Sequence, residues 1–147
     1  MIPFEYLEHT ADVKFRAYGG SPEEMLSNAA LALFNAMIDT STIEVRETWK
    51  VELSSDSLEH LAYGWLSELV FLFETESAVF STFEVHLHEI KGSPDKESSG
   101  GKLLAEVGGE RIDQARHSFE NEVKAITLHR FGVKKNDHWC LQVVLDV

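Results

Sequence analysis

The stretch VKFRAYGGSPEEMLSNAALALFNAM, residues 13–37, changes its period part-way along. Val13, Phe15 and Ala17 alternate with Lys14, Arg16 and Tyr18, which is the two-residue repeat of a strand with one apolar face. After the glycine pair, Ser21 can cap a helix, Pro22 suits its first turn, and Glu24 completes a Ser-x-x-Glu capping box. Met25, Ala29, Leu33 and Met37 then recur every four residues, flanked by Leu26, Ala30 and Phe34, and predict an amphipathic helix to about Asp39. A strand that runs straight into a helix is the seed of a mixed fold.

Working outward, FEYL and VRETWKVEL read as strands, the latter with Trp49, Val51 and Leu53 on one face. Asp56 and Glu59 form a second possible capping box before a helix striped by Leu58, Leu61, Trp65, Leu69 and Leu72, and so apolar that more than one side should be covered. FSTFEVHLHEI and KLLAEVGG read as strands around the polar loop KGSPDKESSGG, and RIDQARHSF reads as irregular with a helical turn at most. NEVKAITLHRFGV and HWCLQVVLDV, separated by KKND, predict a closing hairpin. Strands outnumber helices and do not alternate with them. The expected class is α+β: a largely antiparallel sheet, two main helices packed on one face, and a C-terminal β-hairpin. The length of 147 residues suits a single domain over residues 1–147.

The formal net charge of -12 argues against direct, stable binding to nucleic acid, because an acidic surface repels phosphate backbones. Cys140 is the single cysteine, set in an apolar strand, where it acts as a small apolar residue; no intramolecular disulfide can form. The start, MIPFEYLEH, has no signal-peptide pattern, and no apolar run approaches the roughly 18 residues that span a bilayer. A cytoplasmic protein with no membrane partner is the expectation.

Catalytic signatures are missing: no Gly-x-Ser-x-Gly, Walker loop, Cys-x-x-Cys or His-Glu-x-x-His occurs. His86 and His88 share a strand face and could hold zinc, but their neighbours Glu84 and Glu89 favour a solvated outer face. His60, His129 and His138 have no spaced partners. The knot EHTAD, Glu8 to Asp12, sits between strands and is either a solvated turn or the floor of a site. In the hairpin, a turn centred near Lys135–Asn136 sets Lys124 within a residue or two of Asp146, beside the terminal carboxylate of Val147. On that geometry alone, an ordinary cross-strand salt bridge is the preferred reading of the pair. Asp146, however, follows VVL in a strand that reads as buried, and a buried carboxylate needs a partner or a metal. Oxygen ligands suit hard cations such as Mg²⁺, Mn²⁺ or Ca²⁺. Asp12 could join Asp146 only if their strands are adjacent, which spacing does not establish.

Five segments, YLEHTADVKFRAYG, AALALFNAMIDT, WLSELVFLFETE, RHSFENEVKAITLH and VVLDV, together resemble the archease family from end to end. Glu74, Leu128, Val147 and Glu8 stand where that pattern more often has Asp, Tyr, Ile and Asp. The resemblance implies an accessory factor, not an enzyme in its own right, of the GTP-dependent RNA-splicing ligase of tRNA processing. It would promote ligase guanylylation and multiple turnover. It further implies a divalent metal site, calcium, magnesium or manganese, held by Asp12, Asp146 and an oxygen of Val147, with Lys124 as the functional lysine. Whether Glu8 assists stays open. Two other classes compete. A chaperone-like modulator of nucleic-acid-modifying enzymes, such as a tRNA-modifying methyltransferase, would use the Trp65–Phe73 face. A free-standing metal-dependent hydrolase would need a general base that the sequence does not display.

Overall fold

The computed structural model describes residues 1–7, 12–89 and 101–147. Glu8, with the next three residues of the EHTAD knot, and the polar loop up to residue 100 lie outside the described residues. In chain order the elements are β1 (Phe4–Leu7), β2 (Val13–Gly19), α1 (Pro22–Met37), a 3₁₀ turn (Thr40–Thr42), β3 (Glu47–Ser55), α2 (Leu58–Glu76), β4 (Ala78–Glu89), β5 (Gly101–Arg111), β6 (Ala125–Lys135) and β7 (Trp139–Asp146). This is the α+β class that the two periodicities predict.

The strands form two sheets, ordered β1-β2-β7-β6 and β3-β5-β4, with every neighbouring pair antiparallel. The sequence led to one sheet with helices on one face. Instead α1 touches β2 and β7 of one sheet and β4 of the other, and α2 touches β3 and β6. The composition of α1 explains this. Ala29, Ala30, Ala32 and Ala36 let backbone approach closely, while Met25, Leu26, Leu33 and Phe34 fill the space, and all are buried. A helix buried on most of its circumference needs cover on several sides, and two sheets supply it.

Ser21 caps α1 as expected, accepting from the Glu24 N–H at 3.1 Å. The cap of α2 differs from the sequence reading. Ser57, not Asp56, accepts from the His60 N–H at 3.1 Å, and Asp56 lies 3.2 Å from His60 Nδ1. Glu59 is thereby released to accept from the Val133 N–H of β6 at 3.1 Å, which ties α2 to the hairpin. Gly109 sits where β5 crosses β4 beside an irregularity between Phe80 and Thr82; a Cβ there would collide with the Val79 carbonyl. Among the described residues no helix is long and apolar enough to cross a membrane.

Trp65 joins the helices. Its ring is fully buried, stands edge-on to Phe83, and donates Nε1–H to the Leu26 carbonyl of α1 at 2.9 Å. Trp65→Ala should therefore lower the unfolding free energy by about 3–5 kcal/mol, the range for deleting a large buried aromatic. Phe71→Ala on the same helix, where the ring is 55% exposed, should change it by no more than about 0.5 kcal/mol. Urea titration of both variants checks the contrast.

Candidate functional site at the paired chain ends

β2 pairs with β7 from Gly19↔Trp139 through Val13↔Leu145. One further step in that register sets Asp12 level with Asp146, so the adjacency that spacing could not establish is a consequence of the sheet. On the other side of β7, Ala125 pairs with Asp146, and the Lys124 N–H donates to the Asp146 carbonyl at 2.8 Å. Asp12, Asp146, Lys124 and the last residue, Val147, thus gather at one end of the four-stranded sheet.

Lys124 arrives there by a different route from the one the hairpin suggests. The turn falls later, with Lys135 opposite Trp139 and the Asn136 N–H bonded to the His138 carbonyl at 3.1 Å. That turn alone would carry Lys124 beyond Val147. Between the pairs Gly132↔Gln142 and Thr127↔Val144, β6 uses more residues than β7, and this bulge restores the register at the open end. Arg130 within it has φ 54, left-handed backbone that few non-glycine residues adopt.

The connection from β5 to β6 is pinned by residues that sequence reasoning left in an irregular segment. Glu110 is 3% exposed; its Oε2 accepts from the Glu44 N–H at 2.6 Å and its Oε1 accepts from the Arg116 guanidinium. Arg116 also donates to the Thr42 carbonyl at 3.1 Å. His117 is buried, its Nδ1 accepts from the Asp113 N–H at 2.9 Å, and its Nε2 faces Glu110 Oε2 at 3.3 Å without hydrogen-bond alignment. Burial, aided by the Arg116 charge, holds the imidazole pKa below its ordinary value. The neutral ring suits Nδ1 as an acceptor. Downstream, the Glu120 N–H and the Asn121 side-chain amide donate to the Met37 and Ala36 carbonyls at 2.8 and 2.9 Å. The end of α1, which lacks a glycine cap, is closed by this segment, and about a turn earlier the Tyr6 hydroxyl donates to the Ala32 carbonyl at 2.8 Å. Burial raises the Tyr6 pKa, so the phenol stays protonated and able to donate.

A cleft of about 440 Å³ opens beside Asp12, lined also by Tyr6, Asn35, Glu120 and Asn121. Asp12 and Glu120 bring carboxylate oxygens of the kind a hard cation prefers, but Lys14 and the apolar Leu7, Val13 and Ala36 line the cleft as well. Two features depart from the sequence reading. Asp146 is exposed, so burial does not force it to take a partner. Lys124 is exposed too and makes no ion pair among the described residues; its tie to Asp146 is a backbone bond rather than a salt bridge. Among the described residues no three His, Cys, Asp or Glu side chains converge as a ligand cluster. The oxygen donors available are therefore Asp12, Asp146 and the chain end, which fit a hard cation in chemistry. His86 Nε2 lies 3.1 Å from Glu84 Oε1 on an exposed face, in keeping with the solvated reading of that strand. Cys140 is half-buried on β7, and burial raises its thiol pKa, so it is no ready nucleophile.

The model of the archease protein family matches residues 4–147. Protein archease of Methanosarcina acetivorans is 43% identical over 145 residues, 98% of this chain and 95% of that protein. Protein archease of Pyrococcus abyssi is 37% identical, with both chains covered in full at 100%. The solution structure of protein 1598 of Methanobacterium thermoautotrophicum superposes with a TM-score of 0.79 at 35% identity, covering 99% of each chain.

The depressed His117 pKa has a consequence for stability. In the unfolded chain the ring takes up a proton near pH 6.5, whereas in the folded protein it does so only at lower pH. The folded state is therefore penalised as pH falls below about 6.5 and is free of that penalty above it. His117→Gln, which keeps an acceptor for the Asp113 N–H but does not titrate, should lose less stability between pH 7.5 and 5.5 than the unmodified protein. Urea midpoints at the two pH values decide it; equal losses would show that His117 takes no part.

Proposed function

The chain belongs to the archease family, and on that premise we propose that it is an accessory protein of a GTP-dependent RNA-splicing ligase, acting in tRNA processing. It raises the rate of ligase guanylylation and sustains multiple turnover, and performs no covalent step itself. One observation carries the reading: β2–β7 pairing draws Asp12 level with Asp146, and the Lys124 backbone is bonded to the Asp146 carbonyl. Carboxylates from both ends of the chain and one ammonium thus share one exposed sheet end.

Asp12, Asp146 and a carboxylate oxygen of Val147 would hold a divalent cation there, which offsets their mutual repulsion and adds positive charge near a phosphoryl group. Lys124 can reach a phosphate as a mobile point charge. The acidic end fits a basic partner surface, and a ligase that handles nucleotide and RNA is electropositive where it does so. Contact between them should weaken with salt, since such attraction is screened over about 8 Å at 0.15 M.

The chaperone-like alternative draws less support. Trp65, Leu66 and Leu69 are fully buried in the core, so most of the face it would use is already occupied.

Two measurements test the proposal. Lys124→Ala should leave the thermal midpoint unchanged, because the side chain is exposed and surface ion pairs contribute only about 0–1 kcal/mol; guanylylation and multiple-turnover ligation by the cognate ligase should nevertheless fall toward the rate without this protein. Full activation by the variant would refute a role for Lys124. Asp12→Asn should weaken divalent-cation binding at least about tenfold by calorimetry, the loss of a charged oxygen ligand. Equal affinity in the two proteins would place any cation elsewhere.

A further inference from the structure

The same sheet carries a second feature of opposite charge. On β2, Arg16 and Tyr18 alternate with the buried Phe15 and Ala17; on β7, Cys140 and Gln142 alternate with the buried Leu141 and Val143. The register brings Arg16 level with Gln142 and Gln142 level with Gly132, and Tyr18 level with Cys140 and Cys140 level with Lys134. These rows face away from the core. Together with the β6 bulge they enclose a cleft of about 580 Å³, within the roughly 300–1,000 Å³ of small-molecule sites.

Three cations line it: Arg16, Arg130 and Lys134. None of these three makes an ion pair among the described residues, as is true also of Lys14, Lys50, Lys124 and Lys135. Glu5 stands opposite Arg16 on β1, but its Oε1 accepts from the Tyr18 hydroxyl at 2.9 Å. The Arg16 side chain and the Arg130 backbone are tied to a neutral group instead. Gln142 Oε1 accepts from Arg16 Nε at 3.0 Å, and Gln142 Nε2 donates to the Arg130 carbonyl at 2.9 Å. One amide therefore ties the Arg16 guanidinium to the Arg130 backbone without neutralising either side chain, and the Arg16 side chain also bonds Tyr18. The left-handed backbone at Arg130 fits the same picture, since bulges recur where a side chain is re-aimed toward a site.

We propose that this cleft binds the phosphate groups of a free nucleoside phosphate. Planar guanidinium groups match phosphate oxygens in pairs, and the Lys134 ammonium adds a point charge. Tyr18, whose ring stands edge-on to His138 at 5.1 Å, gives the wall an aromatic pair suited to a base, while the Phe131 ring is turned to Tyr63 of α2. Asp137 on the rim supplies an acceptor-only group; it disfavours a bare anion but can take a hydrogen bond from a ribose hydroxyl or a base amine. That combination selects a nucleotide over inorganic phosphate. The acidic end lies four residues along β7, on the order of 13 Å away at 3.3 Å per residue, so the two sites are distinct and this inference does not rest on the accessory-factor reading.

The test uses the full chain with EDTA present, so that a cation at the acidic end contributes nothing. Calorimetry and amide chemical-shift mapping compare inorganic phosphate, ATP, GTP and a single-stranded RNA with hydroxyls at both ends. The expected result is saturable binding of ATP or GTP, tighter than that of phosphate, with shifts centred on Arg16, Arg130 and Lys134. Arg16→Gln and Lys134→Ala should each weaken it roughly tenfold or more, the loss of one charge-assisted contact, whereas Lys50→Ala on β3 should not. Lys134 is exposed, so its variant keeps the fold. The proposal fails if neither nucleotide saturates at millimolar concentration, if Lys134→Ala binds as tightly as the unmodified chain, or if the RNA matches the nucleotides, which would make the cleft a reader of diester backbone.

Discussion

The pairing of β2 with β7 is the constraint on which the rest depends. It joins one of the first strands of the chain to the last along Val13–Gly19 and Trp139–Leu145. Along the inward face Phe15 and Ala17 meet Leu141, Val143 and Leu145, all fully buried. Removing this pairing would open the centre of the four-stranded sheet and separate Asp12 from Asp146 in the same event. The candidate site therefore has no stability of its own to lose; it persists as long as the central seam of the sheet does. Antiparallel pairing across nearly the whole chain is also the most non-local contact available, so the site can form only once distant segments have met.

Lys124 depends on a second, less obvious device. The segment between β5 and β6 has no regular structure, and backbone outside ladders must find partners elsewhere. Glu110 provides the anchor. A carboxylate buried this deeply is tolerable because a backbone N–H and a guanidinium both donate to it, and the neutral His117 packs alongside. From there the chain is laid against the end of α1, where free helix carbonyls accept from Glu120 and Asn121. The β6 bulge then adjusts the register so that Lys124 ends beside Asp146. The position of one exposed lysine is thus set by a buried carboxylate, a helix terminus and an irregular strand.

Net charge describes the molecule poorly at this scale. The excess of acidic groups is real, and it shapes long-range encounter with any charged partner. Yet one sheet carries carboxylates at the Asp12–Asp146 end and, around Arg16, Arg130 and Lys134, cations that make no ion pair among the described residues. Strand alternation makes this possible: Arg16, Tyr18, Cys140 and Gln142 share the face of β2 and β7 that turns away from the core, and the β6 bulge brings Arg130 and Lys134 to the same cleft. The charge that a ligand meets is decided by those rows rather than by the sum over the chain.

The sequence by itself determined what local physics controls. Period-two alternation marks β2, the four-residue apolar repeat and Ser21 cap mark α1, and the run from Leu58 marks α2, because side-chain direction in a regular element follows spacing alone. It also carried the family resemblance, and with it Asp12, Asp146, Val147 and Lys124 as the residues to watch. Tertiary structure decided the rest. Local periodicity says which face of a strand is buried but not which strand lies beside it, so the split into two sheets and the meeting of Asp12 with Asp146 could not be read. Spacing likewise gave no warning that Asp146 would be exposed, that Ser57 rather than Asp56 would cap α2, or that Glu110, Arg116 and His117 would form one buried network. The basic cleft was invisible for the same reason. Arg16, Arg130 and Lys134 come from separate strands, and only the register of β2 with β7 and of β7 with β6, bulge included, brings their charges to one place.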